Sequence, residues 1–528
     1  MSRRRIALQL FVTLLLVSAA GLPAVTSTAV GGGSETGGFA DGHWRLFTEA
    51  AGSEESEESE GSEAGTAAPT ATQTDPAEEH PWLTLHQTRS QPTDGVQAIR
   101  ADELHEQGVT GEDVRVGVVG STFAADHEAI AGHVADHYSV ERPPVRPRSE
   151  TGHDTAVAEV VTRTAPGADL YLAEVGTSPT GDSYADAVSW LVANDVDVVV
   201  DAGSYFSTAD GDTDRIAAVA ENASDDGVVF VTSAGNYGDR HWRGVDDGEG
   251  WVEFAPDSEA NPLADGTATS GRVSLRLSWN TSADYDLYLY RKGTARDPVV
   301  AKSVTRQNGT NATATETINA VVPKGVYYVG IYAHDAGGTA DADGANRTSH
   351  TNATSPANHT TPTTSRLRLF STTTSLTHTT SGSMVAPATS GSVIAVGAID
   401  VRSGQLRDYS SHGTDEFDVD VGAPDGVGTR VTGTFYGTSA AAPYVAGTAA
   451  LVESSYDGLS PREVEQLLER TADGESRRLD AVDAVEAAAA VRRANVDGHD
   501  GHEVDSVGGV DDIDDFDDID DTAEGNGP

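Results

Sequence analysis

Between about Trp82 and Asn495 the apolar residues recur in two rhythms, and the change of rhythm divides the chain. The first alternates short apolar runs with segments of helical spacing. That pattern predicts strand–helix–strand units, and hence a parallel sheet covered by helices. Val114–Val119, Leu170–Val175, Val196–Val200, Val228–Thr232 and Val393–Val396 read as strands. His153–Thr164, Tyr184–Ala193, Thr213–Asn222 and the small-residue run Ser439–Ser454 read as helices. Ser460-Pro461-Arg462-Glu463 combines an N-cap, a proline at the first helical position and a capping-box glutamate, which starts a further helix reaching about Arg470. The second rhythm fills roughly Arg243 to Gly382. There Val273-Ser274-Leu275-Arg276-Leu277-Ser278-Trp279, Val326–Tyr332 and Leu367-Arg368-Leu369 alternate apolar with polar residues, as half-buried antiparallel strands do. The expected architecture is therefore an α/β domain with a parallel sheet over 88–242 and 383–493, interrupted by an antiparallel β-sandwich over 243–382. Glycosylation sequons at Asn280, Asn308, Asn311, Asn346, Asn352 and Asn358 cluster in the insert, with another at Asn222, and mark it as surface-exposed.

The two ends differ from this middle. Arg3, Arg4 and Arg5 precede an uncharged run from Ile6 to Val25, then small residues around Ala24 and Ala29, which reads as an export signal over 1–29. Its opening Ser2-Arg3-Arg4-Arg5-Ile6 resembles a twin-arginine signal, and the expected location is secreted or cell-surface. The run is long enough to be an uncleaved anchor, but Gly21 and Pro23 break its end, which favours cleavage and no stable span thereafter. Residues 30–80 are rich in Gly, Ser, Glu and Thr and read as a disordered acidic linker, with no folded pro-domain. Residues 496–528, including Asp511–Asp521, read as a disordered solvating tail.

Charge narrows the partners. The chain holds 83 Asp+Glu against 34 Lys+Arg, a formal net charge of −49. Such self-repulsion becomes tolerable where screening is strong, with a Debye length of about 3 Å at 1 M salt. Because the acid is spread through the folded part, it reads as salt adaptation, and no basic stripe exists to meet nucleic acid. A monomer is expected. Cysteine is absent, which excludes a thiol nucleophile, disulfides and thiolate metal sites.

The candidate chemistry lies in Gly437-Thr438-Ser439-Ala440-Ala441-Ala442-Pro443-Tyr444-Val445-Ala446-Gly447. A serine at a helix N-terminus exposes its Oγ where backbone N–H groups and the helix dipole stabilise negative charge. On spacing alone it could equally be an N-cap on an alanine-rich core helix. The full string, however, resembles the nucleophile motif of the subtilisin family of serine peptidases. Gly152-His153-Asp154-Thr155-Ala156-Val157-Ala158 resembles that family's histidine segment, and Ser233-Ala234-Gly235-Asn236 its oxyanion segment. The resemblance covers about 88–240 and 382–493, and the acid-rich composition is similar to that of haloarchaeal members. It implies a doubly wound parallel sheet of subtilisin type, Ser439 as nucleophile, His153 as general base, Asn236 in the oxyanion hole, and protein or peptide substrates. The insert's Asp284-Tyr285-Asp286-Leu287-Tyr288-Leu289-Tyr290 resembles sandwich modules appended to exported peptidases.

One departure matters more than the match. The family's orienting aspartate ends the first strand, and here Gly120 stands there; Asp154 and Glu159 also replace glycines of the family pattern. Among substitutes, Asp126 lies in an unguided loop, and Asp154 should leave a different helix face from His153, since adjacent helical residues do not face each other. Asp201 ends a strand expected beside the first, so it is the provisional orienting acid, with a turn or cap carboxylate as its equal alternative. The expected function is an extracellular serine endopeptidase with an atypical third member. The alternative is a catalytically silent protein of the same fold acting as a binding module. No cofactor is required for catalysis and no metal ligand is assigned. The family's structural calcium is allowed for without ligands, the faint calcium-loop pattern at Asn495–Gly501 being ordinary in so acidic a chain.

Overall fold

The computed structural model describes residues 36–40, 43–47, 94–139, 152–206, 212–246, 250–306, 314–334, 364–414, 418–456 and 458–497. The expected export signal and the tail beyond residue 497 lie outside them. Within the stretch read as a structureless linker, Thr36–Ala40 pairs antiparallel with His43–Phe47, a register that sets Phe39 opposite Trp44.

The main domain is built on β1 (Arg115–Gly120), β2 (Val134–Ser139), α1 (Gly152–Thr164), β3 (Asp169–Glu174), α2 (Gly181–Ala193), β4 (Val198–Asp201), α3 (Asp212–Asp225) and β5 (Val229–Ser233). After the insert it continues with β13 (Ile394–Asp400), β14 (Val421–Pro424), a hairpin of β15 (Val427–Thr429) and β16 (Gly433–Phe435), α4 (Thr438–Ser455), α5 (Pro461–Thr471) and α6 (Ala481–Asp497). Its sheet runs β13-β5-β4-β1-β3-β2, all parallel, with β14 parallel on β13 and the short antiparallel piece Gln405–Leu406 at the edge. Both faces are buried. Val198 and Val200 join the core shared with α1 and α4, while Val199 joins the one shared with α2 and α3. Two covered faces explain why these strands read as continuous apolar runs. The chain winds from β1 outward to β2 and β3, then crosses to β4 on β1's other side. The carboxyl ends of β1 and β4 thus flank a topological switch point, where open α/β sheets form their crevice.

Close packing of α1 on α4 needs one glycine. A Cβ on Gly447 would lie 2.5 Å from the Thr164 Cβ. Position 447 therefore sets how near the two helices carrying His153 and Ser439 can come.

The insert is a sandwich of two antiparallel sheets. One runs β10 (Ala314–Gly325), β7 (Thr269–Trp279), β12 (Ser365–Ser371), β6 (His241–Asp246). The other contains β11 (Tyr327–Ala333), β8 (Tyr285–Arg291) and β9 (Val299–Ser303), with Asn261–Pro262 and Gly250–Trp251 also paired to β11. Val273, Leu275, Leu277 and Trp279 point into the core between the sheets, as their alternation predicts. The outer face of the β7–β12 sheet packs on the main domain: Phe370 lies edge-on to Phe206 and Tyr237, with centroids 5.1 and 5.5 Å away. Arg368 Nη2 donates to the carbonyls of Gly382 (3.0 Å) and Met384 (2.9 Å). Among the described residues no helix is long and apolar enough to cross a membrane.

Candidate active site

The segment entering α4 is held by three side chains before Ser439 is reached. Gly437, at φ 104°, is in a conformation that favours glycine, and its N–H donates to Asp425 Oδ1 at 2.7 Å. The Thr438 N–H donates to Asn236 Oδ1 at 2.9 Å, and Thr438 Oγ1 accepts from the Gly235 N–H at 3.1 Å. With Oδ1 so engaged, Asn236 keeps Nδ2 as its remaining group, and that group is a donor. Ser439 then sits in the first turn of α4, 7% exposed, with Oγ donating to the Ala202 carbonyl at 3.0 Å. Among the described residues no hydrogen bond joins Ser439 to His153.

His153 occupies the first turn of α1, its side chain 42% exposed and its ring edge-on to Phe435 at 5.4 Å. Its Nδ1 lies 2.7 Å from Asp154 Oδ1. The second oxygen of Asp154 accepts from the N–H groups of Ser121 (2.7 Å) and Thr122 (3.1 Å), just beyond the end of β1. A Cβ on Gly120 would come within 2.7 Å of both Asp154 Cβ and Cγ. The carboxylate of Asp154 therefore fills the space that the missing side chain at 120 leaves. This corrects the expectation that Asp154 would point away from His153. The rule that helical neighbours diverge describes a helix interior; in the first turn side chains lean toward the N-terminus, where no preceding turn separates them. Burial works against charge on His153, but the hydrogen bond and charge of Asp154, helped by the Asp201 charge, win and raise its pKa above 6.5.

Asp201 takes the predicted place at the end of β4, beside Val119 of β1, but it is not hydrogen-bonded to the histidine. It is fully buried. Oδ2 accepts from the Tyr184 hydroxyl at 2.6 Å, and Oδ1 from the Gly203 N–H at 2.7 Å and, weakly, the Tyr205 hydroxyl at 3.4 Å. Its lone pairs are thus directed to the far face of the sheet, where α2 supplies Tyr184. Burial raises its pKa to about 6, with the Asp154 charge adding to the rise and the Tyr184, Gly203 and Tyr205 hydrogen bonds opposing it.

Two further carboxylates shape the site, and sequence reading assigned neither. Glu159, buried in α1, accepts from the N–H groups of Arg430 (2.8 Å) and Val431 (3.1 Å), fastening the β15–β16 hairpin that presents Phe435 to His153. Asp425 holds Gly437 while accepting from the Tyr409 hydroxyl (2.5 Å) and Arg407 Nε (2.7 Å). Glu159 could be flagged as a charge amid an apolar helical run; Asp425 left no such signal. Among the described residues, Asp420, Glu465 and Glu469 bring three carboxylates close together, but nothing beyond their acidity points to a cation.

Comparison with known proteins supports a subtilase. The model of the subtilase family matches residues 299–502, a span that includes Ser439 and excludes His153 and Gly120. Subtilisin E of Bacillus subtilis (strain 168) is 28% identical over 159 residues, 27% of this chain and 40% of that protein. The thermophilic serine proteinase of Bacillus sp. (strain AK1) is 44% identical over 92 residues, 16% of this chain and 21% of that protein. The chain thus spans less than half the length of these relatives. Among solved structures, a cold adapted subtilisin-like serine proteinase superposes with a TM-score of 0.36 at 16% identity, covering 70% of this chain and 90% of that one. A lanthipeptide protease gives a TM-score of 0.41 at 15% identity, covering 75% and 99%. The fold assignment rests on the sheet order, not on those superpositions.

Proposed function

We propose that the chain is a serine endopeptidase of the subtilase type whose orienting acid has moved from the end of β1 to α1, as Asp154. The observation that carries this is the 2.7 Å contact of His153 Nδ1 with Asp154 Oδ1, in the space opened by Gly120. In this reading Asp154 holds the Nδ1–H tautomer and leaves Nε2 to act as base. Ser439 turns its hydroxyl from the Ala202 carbonyl to His153, gives up its proton and attacks a peptide carbonyl. The Asn236 Nδ2 and the Ser439 N–H receive the oxyanion. The imidazolium returns its proton to the leaving amine, and water repeats the sequence to release the acyl group. Asp201 is a supporting residue of the sheet edge rather than the orienting acid. We place the enzyme outside the cell, exported through the twin-arginine route, in concentrated salt, acting on proteins or peptides.

A fluorophosphonate probe tests the reading on the full chain in molar salt. Labelling should be lost in Ser439→Ala and slowed at least a hundredfold in Asp154→Asn. A folded natural chain that takes up no probe would overturn it. The rival, a silent binding module, draws on one observation, the Ser439 hydroxyl resting on the Ala202 carbonyl, and would gain from that negative result.

A further inference from the structure

Asp425 stands just beyond β14, only 1% exposed, and no step of the proposed reaction uses it. Its two oxygens face donors: the Gly437 N–H on Oδ1, and the Tyr409 hydroxyl and Arg407 Nε on Oδ2. Either oxygen leads to the oxyanion donors. From Gly437 the chain passes to Thr438, whose N–H donates to Asn236 Oδ1 at 2.9 Å and whose Oγ1 accepts from the Gly235 N–H at 3.1 Å. From Tyr409 the path runs through the backbone, where its carbonyl accepts from the Gly238 N–H at 3.0 Å. Two residues on, the Ser411 N–H donates to the Gly235 carbonyl at 2.8 Å, and Ser411 Oγ accepts from the Tyr237 N–H at 3.2 Å. The bonds close a ring through 425, 437–438, 235–238 and 409–411. The turn carrying Asn236 is held on one side by the entry to α4 and on the other by 409–411, and Asp425 joins those two holders.

We infer that Asp425 is a positioning residue of the oxyanion hole: by closing this ring it fixes the spacing between Asn236 Nδ2 and the Ser439 N–H. The inference rests on the peptidase reading and extends it. The two donors come from separate segments, so covalent geometry does not set their spacing. Donors aimed before the reaction need no reorganisation during it, and a misplacement of about 1 Å can cost about 10²-fold in rate. Slack at the helix entry would reach the amide directly, since a Cβ on Gly437 would lie 3.0 Å from Asn236 Nδ2. The chemistry also requires an acid at 425. An ionised carboxylate only accepts, and here it meets three donors. An asparagine offers one oxygen and one N–H₂ group, so its N–H₂ would face either the Gly437 N–H or Arg407 Nε, and neither of those can accept. The Arg407 guanidinium, itself held by Asp400 at 2.5 Å, balances the buried charge.

The test measures kcat and KM of the full chain in molar salt on a peptide that it cleaves. Asp425→Asn should lower kcat by about 10- to 100-fold and move KM by less than about threefold, because the lost alignment matters only once the oxyanion forms. The deciding measurement is a cycle with Asn236→Ala. With the Asn236 donor gone there is no spacing left to keep, so Asp425→Asn should then cost less than about threefold. A carboxylate that merely holds the fold would cost the same factor in both backgrounds. Such additivity overturns the inference and leaves the peptidase standing. Amide exchange reads the ring without turnover: in Asp425→Asn it should quicken at 235–238, a segment with no direct bond to Asp425. Unchanged exchange there also overturns the inference. Should Asp425→Asn fail to fold, Tyr409→Phe opens the same ring by one hydroxyl, and its cycle with Asn236→Ala decides in the same way. A natural chain that cleaves nothing overturns the peptidase reading and this inference with it.

Discussion

The ends of β1 and β4 lie side by side at one sheet edge, and each is served by one carboxylate in an opposite way. At the end of β1 the strand supplies no side chain, and the acid arrives from a helix: Asp154 gives one oxygen to two backbone N–H groups and the other to the histidine. At the end of β4 the strand supplies the acid itself, yet Asp201 is enclosed by Tyr184, Tyr205 and the Gly203 N–H. Location at a strand end is thus not what makes an orienting acid. What matters is which lone pair is left facing the ring once the neighbours have taken theirs.

That contrast can be broken most directly at Asp154. Asp154→Asn should lower kcat by about 10³–10⁴ while leaving the fold intact, as expected where a lost acid leaves the wrong tautomer. A loss under tenfold, measured on any cleaved peptide, would return the two acids to equal standing. Next in size is an exchange of positions. Gly120→Asp alone should be close to inactive and less stable, since its Cβ would meet Asp154 at 2.7 Å and Phe123 at 2.8 Å. Gly120→Asp/Asp154→Gly should recover at least about tenfold in kcat over Asp154→Gly, because the acid then reaches the ring from the strand. No recovery would mean that the helix position is indispensable. A smaller effect lies in the pH profile. The base must be neutral to act, so kcat/KM should rise with pH through a pKa above the ordinary imidazole value of 6.5. In Asp154→Asn that limb should move to lower pH; an unmoved limb would show that Asp154 does not act on the ring.

The smallest effect is reserved for Asp201, where Asp201→Asn should change kcat less than tenfold. Stability should respond instead. Its pKa is raised from 3.8 to about 6, so the folded state binds the proton more tightly than the unfolded one. Stability is then fully present below about pH 4 and falls as pH rises through 6, by about 3 kcal/mol. Asp201→Asn should raise Tm at pH 8 and leave it nearly unchanged at pH 4. Equal shifts at both pH values would show that ionisation there carries no such cost.

Much of this edge was legible in the sequence, for a local reason. The helix starts at His153 and Ser439 and the turn at Asn236 follow from runs of a few residues each, whereas the placing of β4 beside β1 was implied by the resemblance to the subtilisin family. The partners of Asp201 did not follow, because Tyr184 and Tyr205 reach it only once α2 and the loop after β4 have docked. Asp154 was misplaced by a rule taken from helix interiors and applied to a first turn. Glu159 stood out as a departure, but its task concerns a hairpin 271 positions away. In the insert, alternation gave the strands correctly, while the sheet begins at His241, where the polar and apolar order is still indistinct.

The adjacency of His153 and Asp154 also changes what has to come together as the chain folds. Base and acid are covalent neighbours, so no loop need close to unite them, and the entropy of joining distant segments is not charged to that pair. The long-range link is the other oxygen of Asp154, which reaches Ser121 across 33 positions. The imidazole and carboxylate therefore travel together, hinged to the sheet through two N–H groups. A local opening of that joint would swing the pair away from Ser439 as one body, and its closing would return base and acid in the same stroke.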